Sequence, residues 1–130
     1  MRVPKPNHKR RKPKQSSRTR ITEKDYHKAT EYWGSECIVC GSPQIELHHV
    51  RFRSQNGKGR WRNLLPLCEK HHKMAHTDNS IRRTFEWKLE QEFGDNFWMD
   101  EFDLWDRGLI DYPTIGEYEK YFERVSKWNS

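Results

Sequence analysis

A chain of 130 residues, 32% hydrophobic and 34% charged, has room for one thinly cored domain with tails, the kind of small core that usually needs a disulfide or metal staple. Three cysteines are too few and too odd in number for a disulfide framework, and no run of 18 apolar residues exists to span a membrane. The basic N-terminus lacks the apolar stretch of a secretory signal, so a reducing cytoplasm is the expected setting.

Residues 1–20 hold nine Lys/Arg and no acid, residues 21–76 nine basic and six acidic groups, and residues 77–130 seven basic and thirteen acidic, for a net +6. Segment 1–20 is Pro-, Lys- and Arg-rich with almost nothing apolar, so it is expected to be a disordered basic tail. The basic first half suits a polyanion such as DNA, because neutralising phosphates releases counterions. The acidic last third suits a protein partner, an internal restraint on the tail, or solubility.

Thr22 with Asp25 three positions on reads as a helix start, and Tyr26, Ala29, Thr30 and Trp33 recur at helical spacing up to Gly34. This helix is expected to pack its aromatics on the core. Ile45 to Val50 is a short apolar run suited to a strand. Residues 51–62 read as a long loop with Gly57, Gly59 and five cations: Arg51, Arg53, Lys58, Arg60 and Arg62. Asn63 to Leu67 lead into a helix near Glu69 to His76, in which Pro66 cannot lie far inside. Ile81, Phe85, Leu89 and Phe93 form one helical face closed by Gly94; Thr114 to Glu117 is a capping box ahead of Tyr118, Tyr121, Phe122 and Val125. Such aromatic stripes are core. The domain plan is therefore a 1–20 tail, a 21–77 core and a 78–130 helical extension packed on it.

The chemistry-bearing residues concentrate between Cys37 and His76. Cys37-x2-Cys40 and Cys68-x2-His71 are two short-spaced pairs about thirty residues apart, an arrangement that closes a tetrahedral structural zinc site of three Cys and one His. Metal binding of this kind is folding free energy, ~10–16 kcal/mol in zinc-finger peptides. A two-Cys two-His finger through His72 and His76 is set aside, because the gap between the pairs is far longer than the usual twelve or so. His72 and His76, four apart on a helix, share a face and can hold a second metal. His48 and His49 are adjacent on a strand, so one faces that metal while the other faces elsewhere.

Together Cys37-x2-Cys40, Glu46-Leu47-His48-His49-Val50, Asn63-Leu64-Leu65-Pro66-Leu67-Cys68 and His71-His72-x3-His76 resemble the HNH endonucleases of the ββα-metal group, in particular small phage or prophage members. The resemblance covers roughly residues 35–77. It implies an α+β fold: a small ββα-metal core stapled by a structural zinc and flanked by an N-terminal helix and C-terminal helices. It implies a metal-dependent DNA endonuclease, nicking or cutting both strands, that leaves 5′-phosphate and 3′-hydroxyl ends. His48, His72 and His76 then hold a catalytic divalent ion (Mg²⁺, Mn²⁺, Ni²⁺ or Zn²⁺), His49 is the general base, and Asn63 orients the base-bearing loop or helps at the metal. Zinc-bearing members usually use four Cys, so His71 stands where a cysteine is usual and could exchange roles with His72. The loop cations Arg51, Arg53, Lys58, Arg60 and Arg62 are placed to clamp flanking phosphates. The rival reading is a non-catalytic, zinc-bound nucleic-acid-binding module.

Overall fold

The computed structural model describes residues 12–129, with side chains described as far as residue 126. In chain order the elements are α1 (Gln15–Thr19), α2 (Glu23–Trp33), β1 (Glu46–His49), β2 (Leu64–Leu67), α3 (Glu69–Thr77), α4 (Asn79–Phe93), α5 (Glu101–Asp106) and α6 (Ile115–Asn129). The expected α+β class and the ββα core are present: β1 and β2 pair antiparallel, with His48 opposite Leu65 and His49 opposite Leu64, and α3 follows directly.

Local signals account for most of these boundaries. The Thr22 hydroxyl accepts from the Asp25 backbone N–H (3.1 Å), and Gly34 ends α2 with φ +95°. Asp78 caps α4 through Ser80 N, and Glu117 N donates to the Thr114 hydroxyl (3.2 Å) at the start of α6. Pro66 sits inside β2, which a two-stranded sheet tolerates because every strand there has a free edge; its carbonyl accepts from Ile38 N (3.0 Å). The α5 helix begins with a reciprocal box between Asp100 and Asp103, a signal passed over in the sequence.

A single buried cluster joins both halves of the chain. Leu64, Leu65 and Leu67 of β2, Ala29 of α2 and Ala75 of α3 share it with Phe85, Leu89 and Phe93 of α4, Phe97, Met99, Leu104, Tyr118 and Phe122. Tyr32 and Trp33 of α2 meet Phe93, with ring centroids 5.3 and 6.1 Å away, whereas Tyr26 stays exposed. Among the described residues no helix is long and apolar enough to cross a membrane.

Of the tail expected over 1–20, residues 1–11 lie outside the described residues; within 12–20 the short helix α1 forms, with residues 12–17 exposed. Thr19 is buried, and Arg18 is held by Asp100 (2.8 and 2.9 Å) and Asp103 (3.0 Å). A stretch with no apolar residues is held by charge, which hydropathy does not register.

Of the loop cations expected at phosphates, Lys58, Arg60 and Arg62 are ion-paired with carboxylates of the chain itself. Lys58 is 2% exposed, with its Nζ on the Asn56 carbonyl (2.7 Å) and Asp103 (3.0 Å). Arg60 is chelated by Glu101 (2.7 and 2.9 Å) and Asp25 (2.8 Å), and Arg62 pairs with Glu119 (2.9 Å). The acidic residues of the C-terminal half are the internal counterions of the basic loop. A buried cation needs such a partner, because leaving water is costly.

Candidate metal centre and its surroundings

Strand pleating sets up the first cluster. Glu46 and His48, two apart, share one face of β1 and look toward α3, where His72 and His76 lie one turn apart. The three imidazoles form a nearly equilateral triangle with centroid separations of 4.9, 5.0 and 5.1 Å. Their nearest ring nitrogens lie within 4.8 Å of one another. His48 is 1% exposed, and neither of its ring nitrogens has a hydrogen-bond partner. Burial, reinforced by His72, His76 and His49, pushes its pKa down to about 3, so its imidazole is neutral at pH 7. A buried ring without hydrogen-bond partners beside two further imidazoles offers a nitrogen lone pair that a divalent cation at the triangle would take up.

The Glu46 carboxylate accepts from His72 Nδ1 (2.8 Å), which turns the Nε2 lone pair of that ring toward the triangle. Glu46 received no role from the sequence, yet its spacing two residues before His48 on a strand was the available signal. A cleft of about 470 Å³, lined by Glu46, Glu69, His72, Lys73, His76 and Thr77, opens beside the cluster. Phe52 stacks on His76 (4.8 Å, 21°), and the Arg82 guanidinium lies 5.5 Å from the Phe52 ring centroid.

The second cluster is Cys37, Cys40, Cys68 and His71. His71, rather than His72, is the imidazole beside the cysteines. Its Nδ1 lies 3.2 Å from Cys68 Sγ and 3.6 Å from Cys37 Sγ, and the Cys40 and Cys68 sulfurs are 3.8 Å apart. A tetrahedral ion with bonds of about 2.3 Å to S and 2.0 Å to N calls for about 3.8 Å between sulfurs and about 3.5 Å between S and N. The four donors fit that figure. Burial raises the Cys37 thiol pKa, but N–H groups of Cys68, Cys40 and Val39 outweigh it and bring the value down to about 6, toward the thiolate a metal needs.

His49 points away from the triangle, as strand alternation requires. Its Nε2–H donates to the Thr19 carbonyl (2.7 Å), leaving Nδ1 as the basic nitrogen. Burial lowers its pKa, the Thr19 bond opposes that, and the charge of Arg53 lowers it further; the net shift is downward, so the ring is neutral at pH 7. Asn63 is fully buried and commits its amide to the loop. Its Oδ1 accepts from Arg51 N (2.8 Å), and its Nδ2 donates to the Arg51 and Lys58 carbonyls (3.1 and 2.8 Å). Of the two roles open to it, the bonds are those of loop orientation. Gly57 is required there, because a Cβ would sit 1.7 Å from the Arg51 carbonyl oxygen. Arg51 rests on Glu86 (3.2 Å) and over Trp98 (5.0 Å), while Arg53 is exposed.

Residues 37–78 match the sequence model of the HNH endonuclease family, and that stretch contains the ββα unit and both His/Cys clusters. A 45-residue stretch is 42% identical to the uncharacterized protein YdfU of Escherichia coli (strain K12), covering 32% of this chain and 13% of that protein. No solved structure matches the chain.

Proposed function

We propose that the protein is a metal-dependent DNA endonuclease that hydrolyses phosphodiester bonds at the His48, His72 and His76 centre. The observation that carries this reading is the division of labour between adjacent strand residues. His48 is buried beside His72 and His76 with neither ring nitrogen hydrogen-bonded, and His49 is neutral on the other side of the strand with its Nε2 on the Thr19 carbonyl.

His48, His72 and His76 would hold a divalent ion, which when bound would supply Lewis acidity at the scissile phosphate. His49 Nδ1 takes the proton of the attacking water, a task for which a ring neutral at pH 7 is suited. Glu46 orients His72, and Asn63 keeps the 51–58 loop folded next to His49. Cys37, Cys40, Cys68 and His71 would hold a structural Zn²⁺ that joins the turn ahead of β1 to the start of α3. With Lys58, Arg60 and Arg62 committed internally and Arg51 paired with Glu86, phosphates are met by the exposed Arg53 and by Arg82, the last on its Phe52 platform beside His76.

The test is conversion of supercoiled plasmid in the presence of Mg²⁺, Mn²⁺, Ni²⁺ or Zn²⁺, with His49→Ala alongside. Nicking or linearisation by the wild type, lost in His49→Ala at unchanged metal affinity, is expected. DNA binding with no cleavage under any ion would leave the binding-module reading in its place.

A further inference from the structure

We propose that residues 14–20 form a catalytic strap in which Arg18 is a positioning residue for His49, anchored by Asp100 and Asp103 of the C-terminal half. This rests on the reading of His49 as the base. Thr19 is the one hydrogen-bond partner of the His49 ring among the described residues, and it comes from outside the ββα core.

The strap has no stability of its own. The α1 helix is five residues long and its N-cap Lys14 makes no side-chain cap bond, well short of the dozen or so residues an isolated helix needs. What holds it is external. Arg18 grips Asp100 with Nε and Nη2 (2.8 and 2.9 Å) and reaches Asp103 (3.0 Å), while its carbonyl accepts from Gly59 N (3.0 Å). Gly59 forms the notch in which the strap lies, since a Cβ there would come 2.2 Å from the Arg20 carbonyl oxygen and 2.8 Å from that of Thr19. Asp103 also takes the Lys58 ammonium, so one α5 carboxylate fastens both the strap and the loop beneath it. The lever runs from α5 through Arg18 to the Thr19 carbonyl and then to the imidazole. None of its members beyond His49 needs to touch DNA.

The strap makes a specific demand of His49: Nε2 carries the proton, so Nδ1 is the basic nitrogen. Loosening the strap lets the ring rotate and exchange tautomers while the metal ligands stay in place. A displaced or wrongly protonated base lowers turnover rather than substrate binding.

The test compares Arg18→Gln, Arg18→Lys and wild type by ¹⁵N NMR of the His49 ring, kcat and KM on plasmid, divalent-ion affinity and thermal midpoint. Arg18→Gln is expected to lose the single Nε2–H tautomer and about ten- to a hundredfold in kcat, with KM and ion affinity unchanged; Arg18→Lys, which keeps the charge, recovers part of both. Persistence of the Nε2–H tautomer in Arg18→Gln, or an unchanged kcat, overturns the proposal. If wild type does not cut DNA, the nuclease reading fails, while the NMR comparison still judges the strap. Should Arg18→Gln not fold, Gly59→Ala displaces the strap with the Arg18, Asp100 and Asp103 side chains retained, and the same tautomer loss is expected.

Discussion

Replacing Arg62 by Ala separates a structural cation from a DNA-binding one. The guanidinium carbon lies 4.1 Å from the Trp61 ring centroid, 4.8 Å from Phe122, 5.3 Å from Tyr118 and 5.5 Å from Phe93. Its Nε and Nη1 are buried without hydrogen-bond partners and are left to the aromatic faces, while Nη2 bonds Glu119. Removing one member of a buried ion pair costs about 3–5 kcal/mol, and each desolvated cation–π contact adds up to about 2. These contributions overlap, and Glu119 keeps the Trp61 indole N–H (3.0 Å) as a donor. The lower figure of about 3 kcal/mol is therefore expected, or roughly 10 °C in thermal midpoint for a chain of this size. The assay is a thermal and urea melt of metal-loaded Arg62→Ala, paired with the salt dependence of DNA binding. A phosphate contact would take about 0.9 from the log–log salt slope when removed; a buried structural cation takes nothing. A variant that melts like wild type but binds DNA with a shallower slope would refute the internal role assigned to Arg62.

Other consequences can be checked in the same way. Asn63→Ala orphans the Arg51 N–H and the Arg51 and Lys58 carbonyls; a loss of about 2–4 kcal/mol by denaturant melt is expected, and a variant within experimental error of wild type would rule out the clamp. Glu46→Gln should weaken divalent-ion binding at the His triangle by about 10- to 100-fold in calorimetric titration, and equal affinity would mean that Glu46 does not orient His72. Chelation of the Cys37, Cys40, Cys68 and His71 site should lower the thermal midpoint and make all three thiols reactive; a chelated protein with an unchanged melt would speak against a structural metal.

Acid stability completes the set. Burial raises the Asp100 and Glu119 carboxyl pKa values, but bonds from Arg18 and Arg62 outweigh it and hold both below their ordinary values. The unfolded chain then binds more protons than the folded one as pH drops. Their stabilisation is full above the unfolded value of about 4 and is lost as pH falls through the folded values. The midpoint of Arg18→Gln and Arg62→Ala should fall less steeply with acid than that of wild type.

The two candidate metal clusters were legible in the sequence because residue spacing maps directly onto helix and strand periodicity: His72 and His76 at one helical turn, His48 and His49 on opposite strand faces, and the two short-spaced pairs around Cys37 and Cys68. The α4 and α6 stripes were legible for the same reason. The fate of the cations was not. Arg53 and Arg60 sit in the same loop and look alike as letters, yet one is exposed and the other is chelated by Asp25 and Glu101, 35 and 41 positions away. Long-range charge pairing leaves no periodic trace. The contacts of α1 leave no trace in its own letters for a related reason, since Arg18 meets acids more than eighty residues downstream.

The pairing of basic loop with acidic extension bears on how the molecule can be cut and grafted. A piece limited to residues 37–78 would carry Lys58, Arg60 and Arg62 without Asp103, Glu101 and Glu119, and would lose α2, which packs on the strand of Leu64, Leu65 and Leu67. The smallest transplantable unit therefore runs from the strap at residue 14 to at least Phe122. Fusions designed around the family boundaries alone would inherit unpaired charge and a sticky apolar flank.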